Sequence, residues 1–547
     1  MDNLRFVLFV FFVFLSYLLW QQWQMDYGPK PAPETRAGTA APTTPNDLPE
    51  SHQTIDQVAD KPAVPKEAPA SAASRIRVRT DVLDLAIDAR GGDIHRLDLL
   101  DYPIAKDQPD RPVRLFNDEG DLFFTQTGFL GNGGQAPTHH SIWQAQATEY
   151  RLSEGQDVLR VPLTWSNGAG VTVTKTYVFR RGSYVIEVEH TIENRSASTW
   201  NARQYLQLQR TEPSKDESQF IRTYTGGVLH TAEKNYEKIT FKDMAESNLN
   251  VKSRQGWIAM IQHYFLAAWI PPAEDEFTFY TKALADRRFV IGAYSPSLEV
   301  PPGGSHTSHA RLFAGPKLQH VLEQTAPGLE LTVDFGALTI IAKPIFWLLE
   351  KFHALFGNWG WAIIFVTLVI KLLFYKLSEA SYRSMAKMRK LQPKLQELKE
   401  RYGDDRQRFN QAMMELYRKE RVNPLGGCLP ILVQIPVFIS LYWVLVESVE
   451  LRQAPFLLWI NDLSAKDPYF VLPLIMGISM FIQQRLSPPP TDPIQARVMQ
   501  FFPFIFTVFF AFFPSGLVLY WVVNNILSII QQWYITRLIE RPVAARA

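Results

Sequence analysis

The chain contains a single cysteine, Cys428, among 547 residues. No intrachain disulfide can form, so the fold must be held by burial. A cysteine-rich zinc site and a lipid anchor on an N-terminal cysteine are excluded as well. Charge of one sign is also missing: 56 Lys and Arg against 54 Asp and Glu leave a net +2, which points away from a specific nucleic-acid partner. No GxxxxGK[ST] loop is present to cradle a nucleotide, and no HExxH pair to hold a catalytic metal. His139-His140 stands near Gly and Pro in a loop-like stretch and reads as an ordinary polar pair. Neither a metal nor a cofactor is expected.

What the chain has in excess is aromatic and apolar: 13% aromatic residues, with 36 Phe. They concentrate at the extreme N-terminus and after residue 340, while the middle has the composition of a water-soluble protein. Membrane spans and an aqueous domain are therefore expected in one chain. Phe6–Trp20 (FVLFVFFVFLSYLLW) is continuously apolar and no small-x-small cleavage site follows, so residues 1–27 are read as an uncleaved signal anchor. Residues 28–74, including PKPAPETRAGTAAPTTPNDLPE, cannot bury enough apolar surface to fold and are read as a flexible tether. Over residues 75–328 the pattern alternates with period two, most plainly in VTVTKTYVFRRGSYVIEVEHTIEN from Val171. Such alternation predicts antiparallel strands with one buried face, hence a large β-sandwich.

Residues 329–358 contain an amphipathic stretch, Ala337–Phe356, expected to lie on the membrane surface. Residues 359–547 then offer five apolar spans: Trp359–Leu377, Leu425–Val446, Pro468–Leu486, Val498–Phe513 and Ser515–Ile535. The third and fourth are short against the ~20 residues a bilayer requires, which implies tilted neighbours or a thinned bilayer. Thirteen Lys and Arg lie between Lys376 and Arg421, so that loop is expected in the cytoplasm. Counting from it places the β-domain outside and both termini inside. Within residues 378–421, Met385, Met388, Leu391, Leu395 and Leu398, then Phe409, Met413 and Leu416, recur at helical spacing on either side of a Tyr402-Gly-Asp-Asp turn. A helical hairpin is expected, with Pro393 kinking its first helix. It is either a structural knob or a docking surface.

The stretch VTLVIKLLFY, Val366–Tyr375, places Lys371 inside an apolar span. Twelve residues beyond Trp359, it would lie about 18 Å deeper at 1.5 Å per residue, past the midplane of a core about 30 Å thick. A lysine left in lipid there costs about 3 kcal/mol on insertion scales. Facing a wetted cavity lowers that cost, and snorkelling to the inner surface of a thin bilayer is the alternative. Thr367, one turn earlier, shares its face, and Gln434, Asn524 and Asn525 supply polar groups from other spans. Each amide alone is equally a helix–helix hydrogen bond. Together they suggest the lining of a hydrated groove.

Three long runs carry a resemblance. SMAKMRKLQPKLQELKERYGDDRQRFNQAMMELYRKERVNPLGGCLPILVQIPVFISLYW from Ser384, ELRQAPFLLWINDLSAKDPYFVLP from Glu450 and FFPSGLVLYWVVNNILSIIQQ from Phe512 resemble the YidC/Oxa/Albino family of membrane protein insertases in its Gram-negative form. The resemblance implies a multi-domain inner-membrane protein. Its α-helical part has six spans, a signal anchor plus a five-helix core, with a cytoplasmic helical hairpin and a periplasmic all-β supersandwich domain. It also implies a chaperone and insertase rather than an enzyme. The implied partners are nascent integral membrane proteins, the lipid bilayer, the Sec translocon with its accessory subunits, the ribosome and the signal recognition particle receptor. Lys371 stands where the family usually has arginine, keeping the charge but losing the bidentate fork. Phe438, Met476 and Phe509 match positions that meet substrate in the family, and Trp521 stands where relatives often have Tyr. Met385, Met388, Leu391, Pro393, Tyr402 and Met413 mark the expected cytoplasmic hairpin by their spacing and turn.

Two other classes compete. A solute transporter also buries polar groups, but five unequal spans show no repeat symmetry. A membrane-tethered carbohydrate enzyme would place its chemistry in the β-domain, whose carboxylates one sequence cannot pair across strands.

Overall fold

A computed structural model describes residues 47–49, 75–131, 136–213, 223–403, 405–420, 422, 429–487 and 493–540. The signal anchor expected over residues 1–27, and the tether apart from residues 47–49, lie outside the described residues.

Alternation becomes burial in the strands Val171–Arg180 and Val185–Asn194, whose inward residues Val173, Tyr177, Ile186, Val188 and Ile192 are fully enclosed. These two pair antiparallel, and Val185–Asn194 pairs in turn with Ser305–Pro316. They form the middle of a nine-stranded sheet that continues through Phe265–Ile270 and Gly256–Ile261 on one side and Val158–Ser166 on the other. A six-stranded sheet is built around Trp200–Thr211, which pairs with Arg288–Tyr294 and with Phe123–Gly131. A five-stranded sheet carries Arg75–Arg79, Leu83–Asp88 and Asp93–Pro103. Trp143, Trp257 and Trp269 fill the space between layers with almost no exposed surface.

One polar group fastens these layers. Lys175 and Asp93 are wholly buried, with Nζ 2.9 Å from Oδ1. Lys175 also donates to the Gly91 and Gly92 carbonyls at 2.7 and 3.3 Å, and Asp93 Oδ1 accepts from the Thr127 backbone N–H at 3.0 Å. Burial lowers the lysine's affinity for its proton, and Asp93 opposes that shift. The pair thereby links the nine-stranded sheet to the strands Asp93–Pro103 and Phe123–Gly131.

The remaining elements are helical: α1 (Phe241–Glu246), α2 (Gln319–Thr325), α3 (Thr339–Phe356), α4 (Trp359–Leu373), α5 (Tyr375–Lys390), α6 (Gln392–Tyr402), α7 (Arg406–Lys419), α8 (Leu429–Glu447), α9 (Val471–Leu486), α10 (Pro493–Phe510) and α11 (Ser515–Glu540). Helix α3 buries Ala342, Ile345, Phe346 and Leu349, and leaves Ile340, Trp347 and Leu355 exposed. Asn358 caps α4, its Oδ1 accepting from the Gly360 and Trp361 N–H groups.

The first apolar span differs from expectation. It was read through Leu377, but α4 ends at Leu373 and the chain bends by 67° at Phe374 into α5. The Phe374 N–H bonds to both Ile370 and Leu372 carbonyls, the tightened last turn of a helix ending where apolar sequence gives way to charged sequence. The hairpin's first helix is likewise divided. Met385 and Met388 lie on α5 and Leu391 at the break, and Pro393 falls in the first turn of α6, where its missing N–H costs no hydrogen bond. Helices α6 and α7 are in contact, and Lys394 lies 2.7 Å from Glu420.

Among the described residues no single helix is long and apolar enough to cross a membrane by itself. The bent pair α4–α5 meets both conditions jointly, and α8, α9 and α10 contain shorter apolar segments. Their outer faces carry Ile435, Ile439, Leu474, Ile478, Phe501, Phe504, Ile505 and Val508, all substantially exposed. So continuous an apolar exterior indicates a partner other than water.

The β-rich and helical parts meet at the C-terminal end of α8. His263 Nε2 lies 2.8 Å from the Val446 carbonyl, and buried Lys317 lies 3.5 Å from Glu447. Arg452 donates to the Pro103 carbonyl at 2.8 Å, and Lys106 to that of Asn461 at 2.7 Å. Nearby, burial pushes the Glu450 carboxyl up from 4.5 to about 7.

Two outcomes follow for thermal unfolding of the full-length chain. Lys175→Met should cost about 3–5 kcal/mol by stranding a buried carboxylate, and adding Asp93→Asn should restore part of that loss. The folded state holds the Glu450 proton more tightly than the unfolded state, so this group's stabilising contribution falls as pH rises from about 4.5 to about 7. Glu450→Gln should therefore raise stability at pH 8 by on the order of 2–3 kcal/mol and have little effect at pH 4.

Candidate functional site

The last turn of α4 carries Lys371, with Leu372 and Leu373 pointing outward beside it. Its Nζ donates to Ser528 Oγ at 2.7 Å, and that hydroxyl donates onward to the Asn524 carbonyl at 2.7 Å. Gln434 on α8 donates through Nε2 to Asn524 Oδ1 and to Tyr520 Oη, the latter at 3.3 Å. Lys371, Gln434 and Asn524 are thus joined through one face of α11. Lys371 and Gln434 also line one cleft with Ile370, Phe374, Leu377, Ser378 and Val433. Its volume is ≈ 10 Å³, about what one water molecule needs.

The other two polar positions turn elsewhere. Thr367 is buried and donates to the Ile363 carbonyl at 2.6 Å within its own helix. Asn525 donates to Ser479 Oγ on α9 at 3.0 Å. Ser528, Tyr520 and Ser479 are the partners missed by reading the sequence. Ser528 was detectable: Asn524, Ser528 and Gln532 recur every four residues along α11, and all three are buried.

The apolar positions divide as well. Phe438 packs against Tyr520 and Trp521, with ring centroids 6.1 and 5.0 Å away. Trp521 also meets Phe510 at 5.6 Å. Phe509 is half exposed on the outer face of α10, whereas Met476 is completely enclosed. Helices α9 and α10 cross closely at Gly477: a Cβ built there would stand 2.0 Å from Thr507 Oγ1. Thr507 in turn donates to the Pro503 carbonyl at 2.8 Å. Of the hairpin positions, Leu391 is buried, Met385, Met388, Tyr402 and Met413 are partly covered, and Pro393 is exposed.

No titratable pair or nucleophile–base contact appears around Lys371 among the described residues. The arrangement offers one cation, several amides and hydroxyls, and an apolar surround. It is equipped to hold a polar or anionic group inside an apolar bundle. The one group of metal-ligand type among the described residues, Asp47 with His139 and His140, belongs to the β-rich part.

Comparison with known proteins gives consistent matches over the whole chain. Residues 75–348 match the family described as YidC periplasmic domain, and residues 351–542 match that described as 60Kd inner membrane protein. The chain is 75% identical over 548 residues to the membrane protein insertase YidC of Methylococcus capsulatus, with 100% of each covered. It is 52% identical over 560 residues to that of Thioalkalivibrio sulfidiphilus, with 99% of each covered. Among solved structures, it is similar to an active YidC insertase with its first transmembrane domain resolved, at 20% identity and a TM-score of 0.39, covering 85% of this chain and 93% of the other. A galactose mutarotase-like protein from Lactobacillus casei aligns at 9% identity and a TM-score of 0.31, covering 44% of this chain and 99% of the other.

The close crossing makes a stability prediction. Gly477→Ala should destabilise the helical part by about 1–3 kcal/mol through overpacking against Thr507. Thr507→Ala in the same chain should relieve most of it, read as the thermal unfolding midpoint in detergent.

Proposed function

Because the chain belongs to the YidC family of membrane protein insertases, we propose that Lys371 and the amides joined to it line the path by which it inserts proteins. The chain is an inner-membrane insertase with a periplasmic β-rich domain. The observation that carries the groove reading is the company Lys371 keeps. Its hydrogen bond goes to a neutral hydroxyl, and among the described residues no carboxylate is paired with it. A buried cation without a counter-charge is costly, and in membrane helices such residues are retained for function.

In this reading a hydrophobic segment of a new protein arrives from the cytoplasm with a short hydrophilic tail. Lys371 and its neighbours hold the tail transiently while the apolar part moves out past Phe438, Phe509 and Trp521. The cleft is the size of one water and Met476 is enclosed, so helices must part for this to happen. Parting is easiest at the Gln434 half of α8, since its other end is fastened to the β-rich domain. Transfer of a ~20-residue apolar segment into lipid supplies the drive, at roughly 25 cal/mol per Å². Membrane potential adds about 2.3 kcal/mol per acidic charge per 100 mV in moving a tail outward. No bond is made or broken, so no catalytic residue is assigned.

The finer architecture belongs to the same proposal. Six spans, counting an anchor over residues 1–27, place both termini and the α6–α7 hairpin in the cytoplasm. Residues 28–74 tether the β-rich domain of residues 75–328, and α3 lies along the outer membrane surface ahead of the core of residues 359–547. The thirteen Lys and Arg between residues 376 and 421 suit the hairpin to a ribosome or the signal recognition particle receptor. Cooperation with the Sec translocon and its accessory subunits is carried over from the family.

Photocrosslinking from position 371 or 438 to stalled nascent membrane proteins tests the groove. Substrate adducts are expected at both positions; capture of lipid alone during normal insertion would overturn the reading. Lys371→Arg should retain insertion. Lys371→Ala should reduce it about tenfold for substrates with acidic tails, the equivalent of ~1.5 kcal/mol for a hydrogen bond to a charged group. Apolar-tailed substrates should be affected less.

A further inference from the structure

Asp47, Leu48 and Pro49 belong to the segment read as a tether, and they lie against the β-rich domain well ahead of its first strand at Arg75. Leu48 packs on a cluster of Tyr205, Tyr280, Val290 and Tyr294. The backbone is held too: Gln207 donates to the Asp47 carbonyl at 3.2 Å, and Lys282 Nζ to the Leu48 carbonyl at 3.1 Å. This seating puts the Asp47 carboxylate between two imidazoles. Oδ2 is 3.0 Å from His139 Nε2, and Oδ1 is 3.2 Å from His140 Nε2.

His139 is the informative member. Only 5% of it is exposed, and both its backbone N–H and its Nδ1 contact Tyr205 Oη, at 2.8 and 2.7 Å. Its buried Nε2 has no partner in hydrogen-bond geometry, although a carboxylate oxygen is 3.0 Å away. The separation is that of an ion pair, and a nitrogen and an oxygen so placed also suit two ligands of one ion. Ligands about 2.0–2.1 Å from a tetrahedral zinc stand roughly 3.3 Å apart; the two imidazole nitrogens reach different oxygens of Asp47, so closing on one ion needs a small turn of the carboxylate or of exposed His140. One ligand atom from each of the three residues falls within a 4.8 Å span. Tyr205 Oη at Nδ1 is the kind of outer contact that fixes the tautomer and orientation of a ligating histidine.

We propose that Asp47, His139 and His140 form a zinc-class metal site that fastens the tether to the β-rich domain. Two imidazole nitrogens with one carboxylate oxygen suit Zn²⁺ and its neighbours in the transition series, whereas Ca²⁺ and Mg²⁺ require mostly oxygen ligands. Three protein ligands leave a fourth position for water, and half-exposed His140 provides the entry side. The site is discontinuous in sequence, so it forms only when the tether is seated, and metal binding and docking are one equilibrium.

The test uses the full-length chain in detergent micelles, stripped of metal by a chelator and then titrated with Zn²⁺ against a chromophoric competitor. One equivalent should bind, at least tenfold more weakly in Asp47→Asn and in His140→Gln. Co²⁺ in place of Zn²⁺ should give the intense visible bands of a four-coordinate ion in the wild type and lose them in both variants. Zn²⁺ should raise the unfolding midpoint of the wild type alone, while the metal-free midpoints of wild type and Asp47→Asn coincide, which separates lost ligation from misfolding. If no metal binds at micromolar Zn²⁺, or if both variants bind as the wild type does, the cluster is an ion pair with adventitious metal at most and the proposal falls.

Discussion

The hydrogen bond from Lys371 to Ser528 joins α4 to α11 and centres the polar cluster of the helical part. Three buried or half-buried lysines allow a comparison. Lys175 is enclosed with Asp93 at 2.9 Å, and Lys317 with Glu447 at 3.5 Å. Each has a carboxylate partner, and each joins two structural layers. Lys371 is given a serine instead. A neutral hydroxyl can orient an ammonium group without cancelling its charge, which leaves the positive potential that the proposed capture of an anionic tail would use. A carboxylate in place of Ser528 would pair the lysine more strongly and remove what distinguishes it from the other two.

Much of this was legible before any coordinates. Period-two alternation from Val171 located strands whose inward faces are indeed buried, because a half-buried sheet enforces that pattern locally. Lys371, Gln434 and Asn524 were singled out as polar residues in apolar spans, and they are brought together because such groups must find one another where water is scarce. Spacing alone could not say where a hydroxyl would bond. Thr367 shares a face with Lys371, yet its Oγ1 reaches the carbonyl four residues back, an option always open to a helical threonine.

The misses have physical causes. The bend at Phe374 has neither proline nor glycine to announce it; it falls where an apolar helix meets a charged one. The break before α6 was anticipated as a kink because Pro393 was visible, but whether a proline bends a helix or begins the next depends on the hydrogen bonds around it. The adjacent His139 and His140 were visible as a polar pair, but Asp47, which meets both, lies far upstream in a stretch with no pattern to connect it to them.

The junction with the β-rich domain constrains how the helical part can move. The C-terminal end of α8 is held by His263 at Val446 and by Lys317 at Glu447, within a buried surround that excludes competing water. Gln434 lies in the opposite half of the same helix, and between them Pro436 removes a backbone N–H from the helical ladder. Ser440 donates back to the Pro436 carbonyl at 2.8 Å, bracing the turn on the fixed side of the proline. In the proposed insertion route, a helix pinned at one end and weakened near the other would separate from its neighbours by pivoting rather than by translating. Such a pivot breaks the contact of Gln434 with Asn524 while leaving the bond between Lys371 and Ser528 on α4 and α11 intact. The charge would then stay in place as the wall opposite it opened, which is the order of events the proposed capture of an anionic tail requires.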